Sequence, residues 1–187
     1  ETDDLPLERE VILKKPKREK AIIALGCKIP LNLDLKTTEA FLLFSRMMGM
    51  DSTSRLYGEI REKYGLAYTV GSTYASTPGL GDGFYVYAEI KPSSAKKVEK
   101  LIWKALMKPL SEQNEFEELR ESILDSFKVS AVEQTNVEKY ERLILRNIVE
   151  EKPVREIETR DKKRIEAIKS LSLKDLVAVQ KKFIRPE

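Results

Sequence analysis

SRLYGEIREKYGLAY, residues 54–68, begins as an amphipathic helix and runs without pause into a strand. Leu56, Ile60 and the aliphatic stem of Lys63 fall at helical spacing. Gly65 stands where a helix commonly ends in a left-handed residue, and Leu66 to Thr77 is rich in the aromatic, β-branched and small residues of a strand. The turn fixes what Arg61 and Tyr68 can do together. They lie on opposite sides of a chain reversal, so a guanidinium fork and a phenol can converge on one small acceptor such as a carbonyl oxygen. Each residue also has a plain structural use: a cation near a helix C-terminus is favoured by the dipole, and a strand tyrosine is ordinarily half-buried.

Working outward from this segment, the pattern is strands first and helices after. Glu8 to Lys15 and Lys20 to Ile29 read as strands joined by a turn containing proline, and the near-continuous apolar run AIIALGC predicts that the second is covered on both faces. The same run also fits a strand on its way into the core. Thr37 or Thr38 is expected to cap a helix whose stripe is Ala40, Phe41, Phe44, Met47 and Met48, broken at Gly49 to Ser54. Leu66–Thr77 and Gly83–Lys91, joined by PGLGDG, form a hairpin in which Phe84, Val86, Ala88 and Ile90 alternate with Tyr85, Tyr87 and Glu89. Gly79, Gly81 and Gly83 resemble a phosphate-binding loop only superficially, because no helix follows them. Pro92 with Ser93 or Ser94 starts a helix with Val98, Leu101, Ile102 and Ala105 on one face.

From Ser111 the reading is helical, with stripes at Phe116, Leu119, Ile123 and Phe127, then at Tyr140, Leu143, Ile144 and Ile148. The last helix, SLKDLVAVQKKFI, opens with Ser172 and Asp175 as a capping box and buries Leu173, Leu176, Val177 and Phe183. Acid pairs such as Glu117 with Glu118, or Glu121 with Asp125, are read as solvated charge rather than acid/base groups. The fold class predicted is α+β: an antiparallel or mixed sheet with several helices packed on one face.

Absences narrow the chemistry. With no histidine in 187 residues, Ser-His-Asp and Cys-His nucleophilic sites are excluded, as is an H-x-x-E-H zinc motif. The single cysteine, Cys27, lies in an apolar strand pattern and is read as a small buried hydrophobe. Lysine and arginine (34) nearly balance the acids (31), so nothing calls for nucleic acid, and the basic run KKPKREK at 14–20 is read as a solvated turn. No apolar run is long enough to span a membrane. The polar start ETDDLPLERE is unlike a signal peptide, which sets a cytoplasmic expectation. A chain starting at glutamate rather than methionine is expected to be part of something longer. Abundant Lys and Glu with few Asn, Gln and Cys fits heat adaptation.

The order of these elements, together with R-x-x-x-G-L-x-Y at Arg61, Gly65, Leu66 and Tyr68, resembles the C-terminal, non-catalytic domain of pitrilysin/insulinase superfamily zinc metallopeptidases, in their mitochondrial-processing-peptidase-like branch. The resemblance implies a processing-peptidase-like metallohydrolase fold, with residues 1–187 a single domain and a further strand after Pro186. It implies that the chain holds no catalytic residue and no metal, and that Arg61 and Tyr68 bind the substrate carbonyl. Zinc would sit in an N-terminal half, in the same chain or as a partner subunit of a homo- or heterodimer, and the substrate would be a peptide or protein. The rival expectation is an inactive scaffold or assembly subunit of the same fold, like the core proteins of a respiratory complex.

Overall fold

The structure is a computed structural model and describes residues 19–29, 33–77, 81–133, 141, 144–145 and 156–185. Four expected features lie outside those residues: the strand Glu8–Lys15, most of the basic run, the start of the hairpin turn at Pro78–Leu80, and most of the Tyr140–Ile148 helix. Pro186, after which a further strand was expected, also lies outside them.

The described elements are β1 (Ala21–Ile29), α1 (Leu35–Gly49), a π-helical turn (Tyr57–Glu62), β2 (Ala67–Thr77), β3 (Gly81–Ile90), a 3-10 turn (Pro92–Ser94) leading into α2 (Ala95–Met107), α3 (Gln113–Glu133), α4 (Glu156–Lys169) and α5 (Leu173–Phe183). The three strands form an antiparallel sheet in the order β1-β3-β2. The α+β architecture is therefore the one expected.

The core lies on one face of the sheet. Phe84, Val86, Ala88 and Ile90 of β3 meet Phe41, Phe44, Met47 and Met48 of α1, all at most 3% exposed. Phe41 is the centre of an aromatic cluster, stacked on Tyr74 at 5.4 Å and packed on Phe84 and Phe183. The expected faces of α2 and α5 are inward too: Val98, Leu101, Ile102 and Ala105 on one, Leu176 on the other. Phe116 and Ile123 of α3 are buried, with Leu119 and Phe127 packed against them.

Helix α1 approaches β2 so closely that a Cβ on Gly49 would lie 2.3 Å from the Ser72 nitrogen, and the Ser72 hydroxyl donates to the Ser45 carbonyl at 2.7 Å. Only glycine permits that approach. Two polar groups clamp the outer helices onto this layer. Glu39, almost fully buried on α1, is gripped bidentately by Arg164 of α4 at 2.5 and 3.1 Å. Gln180 of α5 donates to the Leu106 and Lys108 carbonyls at 2.6 and 2.9 Å, covering the C-terminus of α2.

Two expectations are corrected. The cap of α1 is Asp34, not Thr37 or Thr38; its carboxylate accepts from the Thr37 N–H at 2.9 Å and the Thr37 hydroxyl at 2.6 Å. A carboxylate one turn earlier satisfies the free N–H groups and suits the positive helix end, so it displaces the threonines. Strand β1 is not covered on both faces: its burial alternates, and Ile22 is 77% exposed. The apolar run misleads because two of the three residues it places on the open face, Ala24 and Gly26, are small.

Candidate functional site

The helix expected over 56–63 closes instead as a π-helical turn, in which the Lys63 N–H reaches the Gly58 carbonyl at 3.0 Å. Leu56 and Ile60 are fully buried, as the spacing predicts. Lys63 does not join them; its ammonium pairs with Glu59 at 3.2 Å. Gly65 takes φ +60°, and the Leu66 N–H returns to the Ile60 carbonyl at 3.1 Å, which ends the turn and launches β2. The turn is anchored from below by Arg55, whose guanidinium grips Glu115 at the start of α3 at 3.2 and 2.6 Å.

At the start of β2 the register slips between Ala67 and Thr69. This bulge is the device that aims Tyr68. Ala67 faces the core, yet Tyr68 and Thr69 are both exposed, where a regular strand would have sent one of them inward. Arg61 is exposed as well; its Nη1 donates to the Tyr68 backbone carbonyl at 2.7 Å, and its guanidinium lies 5.0 Å from the Tyr57 ring centroid. The structure thus brings Arg61 to Tyr68 across the reversal. One guanidinium N–H is committed to that carbonyl, out of five that the fork offers. Tyr68 as a residue is 48% exposed.

Two further residues, not singled out by sequence reasoning, adjoin the pair. Lys20, just ahead of β1, places its ammonium 4.8 Å from the centroid of the Tyr68 ring and pairs with Glu89 of β3 at 2.7 Å. Glu89 also accepts from the Thr69 hydroxyl at 3.3 Å. The hydrogen bond to Glu89 raises the Lys20 pKa, and the hydrogen bond from Lys20 lowers that of Glu89. The signal that could have found Glu89 is the hairpin alternation, which puts it on the face of Tyr85 and Tyr87. Lys20 carries no such signal.

A groove of about 370 Å³ lies beside the π-helical turn, lined by Arg55, Glu59, Lys63, Lys104, Met107 and Lys108. It includes neither Arg61 nor Tyr68. Its charges are largely met internally, with Lys63 and Lys104 on Glu59 and Arg55 on Glu115.

The donor set does not fit zinc. The chain has no histidine, and among the described residues no three Cys, Asp or Glu side chains cluster at metal-binding distance. Cys27 is half-buried, and burial pushes its thiol pKa up, away from the thiolate a metal needs.

The sequence profile described as the peptidase M16 inactive domain matches residues 2–123. No curated protein matches the sequence significantly. Among solved structures, a peptidase M16 inactive domain from Pseudomonas fluorescens superposes with a TM-score of 0.71 at 17% identity, covering 90% of this chain and 38% of that one. The inactive peptidase domain of a candidate zinc protease from Bordetella parapertussis gives 0.71 at 16% identity, covering 92% and 90%. The periplasmic protease PqqL from Escherichia coli gives 0.66 at 16% identity, covering 90% of this chain and 18% of that protein. At these identities the likeness shows the fold. The chain spans about two fifths of the Pseudomonas fluorescens protein, and less of PqqL.

Proposed function

The chain belongs to the peptidase M16 inactive-domain family, and on that premise we propose that it is the non-catalytic, C-terminal half of a zinc-dependent endopeptidase, folded as one domain over residues 1–187. In this reading it closes a substrate chamber against a catalytic half, fused or separate, and presents Arg61 and Tyr68 to the carbonyl of the scissile peptide. The catalytic half would hold the zinc, which supplies Lewis-acid polarisation and an activated water. This chain contributes hydrogen-bond donors and exclusion of solvent.

The observation that supports the reading is the pairing of the π-helical turn with the bulge. Gly65 reverses the chain, the bulge turns Tyr68 outward, and the Arg61 fork is held at the Tyr68 carbonyl. A fixed fork beside an exposed phenol is a pre-set pair of donors for a developing oxyanion, and such donors act by being oriented before the charge appears. A structural role alone does not require the tyrosine to be re-aimed toward solvent.

The test is Tyr68→Phe in the chain assembled with its catalytic half, which removes one hydroxyl and nothing else. Turnover is expected to fall about a hundredfold, the usual cost of one oxyanion donor, with the melting temperature unchanged. Wild-type turnover, or a loss matched by a fall in melting temperature, would favour a structural tyrosine and the scaffold alternative.

A further inference from the structure

Strand β3 has two unlike faces. Phe84, Val86, Ala88 and Ile90 are buried, while Tyr85, Tyr87 and Glu89 face outward at 38%, 43% and, for the Glu89 side chain, 30% exposure. The strand register extends this outward face over four rows: Ile22, Glu89 and Thr69; then Ala24, Tyr87 and Gly71; then Gly26, Tyr85 and Thr73; then Lys28, Gly83 and Ala75.

The tyrosine rings lie down across small neighbours. A Cβ on Gly71 would sit 2.9 Å from the Tyr87 hydroxyl, 3.0 Å from its Cζ and 3.0 Å from the Gly49 carbonyl oxygen at the end of α1. A Cβ on Gly83 would sit 2.9 Å from Tyr85 Cε1, and one on Gly26 would sit 3.5 Å from Tyr85 Cδ1. The glycines give the rings room to form a flat aromatic floor, and the floor adjoins the row of Glu89 and Thr69 that borders Tyr68.

We propose that this floor, built from Tyr85 and Tyr87 with Ile22 at its edge, reads side chains of the bound peptide and selects apolar over charged ones; the inference rests on the reading of Arg61 and Tyr68 as a substrate-carbonyl site. The rows of Tyr87 and Tyr85 contain no charged residue. Of the charges that border these rows, Lys20 and Glu89 neutralise each other, and Lys28 stands in the next row beyond Tyr85, opposite Gly83. A charged peptide side chain laid over Tyr87 loses water without gaining a counter-ion, whereas an apolar one buries surface. Same-face residues of a strand repeat about every 7 Å, and an extended peptide has that same spacing. A peptide held by its carbonyl at Arg61 and Tyr68 therefore brings alternate side chains over Tyr87 and Tyr85. The occupant argued for is an extended peptide substrate, because the floor runs on from the carbonyl site and its two tyrosine rows hold no charged residue.

The experiment digests a degenerate peptide mixture with the chain assembled on its catalytic half and reads the cleaved sequences by mass spectrometry. Tyr85→Thr and Tyr87→Thr, which keep a strand-compatible residue, are each expected to reduce the preference for apolar side chains about tenfold. Ile22→Glu, at a position 77% exposed and so tolerant of charge, is expected to enrich lysine- and arginine-bearing peptides. Arg61→Lys is expected to slow cleavage of all peptides without altering preference.

An unchanged preference in all three floor variants, with Arg61→Lys still slow, overturns the floor and leaves the carbonyl reading standing. Loss of the catalytic half from Tyr85→Thr or Tyr87→Thr on gel filtration makes the face a subunit interface and overturns the inference. Wild-type cleavage by Arg61→Lys fails the carbonyl reading, and the floor with it.

Discussion

The two faces of one three-stranded sheet are built to different rules. On the helix side, β3 offers Phe84, Val86, Ala88 and Ile90 to α1, backbones approach to contact at Gly49, and the buried carboxylate of Glu39 is matched by Arg164. On the open side the same strand carries Tyr85, Tyr87 and Glu89, Gly26, Gly71 and Gly83 lie against tyrosine rings, with Gly71 also against the Gly49 carbonyl of α1, and the ion pair of Lys20 with Glu89 is solvated. Neighbouring residues of a strand can thus carry separate burdens. Stability belongs to one face, which leaves the other free to carry exposed polar and aromatic groups that folding does not require.

The largest expected effect comes from a pair of glycines, one on each face. Gly49→Ala forces a Cβ to within 2.3 Å of the Ser72 backbone, where nothing flexible can yield, and is expected to cost about 4 kcal/mol or more or to abolish folding. Gly26→Ala meets only the Phe84 carbonyl at 3.4 Å and a movable Tyr85 ring at 3.5 Å, and is expected to stay within about 0.5 kcal/mol of wild type. Urea unfolding of both variants checks this; equal losses would break the comparison.

Next in size are the ion pairs. Arg164→Ala strands the buried Glu39 carboxylate and is expected to cost about 3 kcal/mol. Glu89→Gln on the open face should leave the melting temperature unchanged. Thermal unfolding of the two variants side by side sharpens the distinction.

A smaller loss than that of Gly49→Ala or Arg164→Ala is expected at the cap. The hydroxyl and N–H of Thr37 hold the Asp34 carboxyl below the usual carboxylate range. Its contribution is complete above the unfolded-state carboxylate pKa and disappears as pH falls through the lower folded-state value. Asp34→Ala is expected to cost about 1 kcal/mol at neutral pH. The gap from wild type should close on the acid side of that range in a melting-temperature series against pH.

The helix-side layer was legible because periodicity reports burial. The stripes of α1, α2, α3 and α5, the hairpin alternation, Gly65 and the Ser172 capping box all stand where spacing placed them. The site was only partly legible. Arg61 and Tyr68 were named from the reversal, but the π-helical turn and the bulge that set their orientation are one-residue departures from regular geometry, and no periodic pattern registers a single added residue. Strand β1 was misjudged because Ala24 and Gly26 count as apolar in a run, although their smallness is what makes room on the open face. Asp34 was missed in favour of the adjacent threonines because a cap is chosen by local hydrogen bonding, and three neighbouring residues of suitable type compete for it.

The central claim is that the open face, at Arg61 and Tyr68, serves the reaction and not the fold. The most direct test is turnover at saturating peptide for Arg61→Lys in the chain assembled with its catalytic half, measured beside its melting temperature. Lysine keeps the charge and loses the planar fork. The account predicts turnover reduced about a hundredfold with the melting temperature unchanged; turnover within about twofold of wild type, far short of the loss of an oxyanion donor, would contradict it.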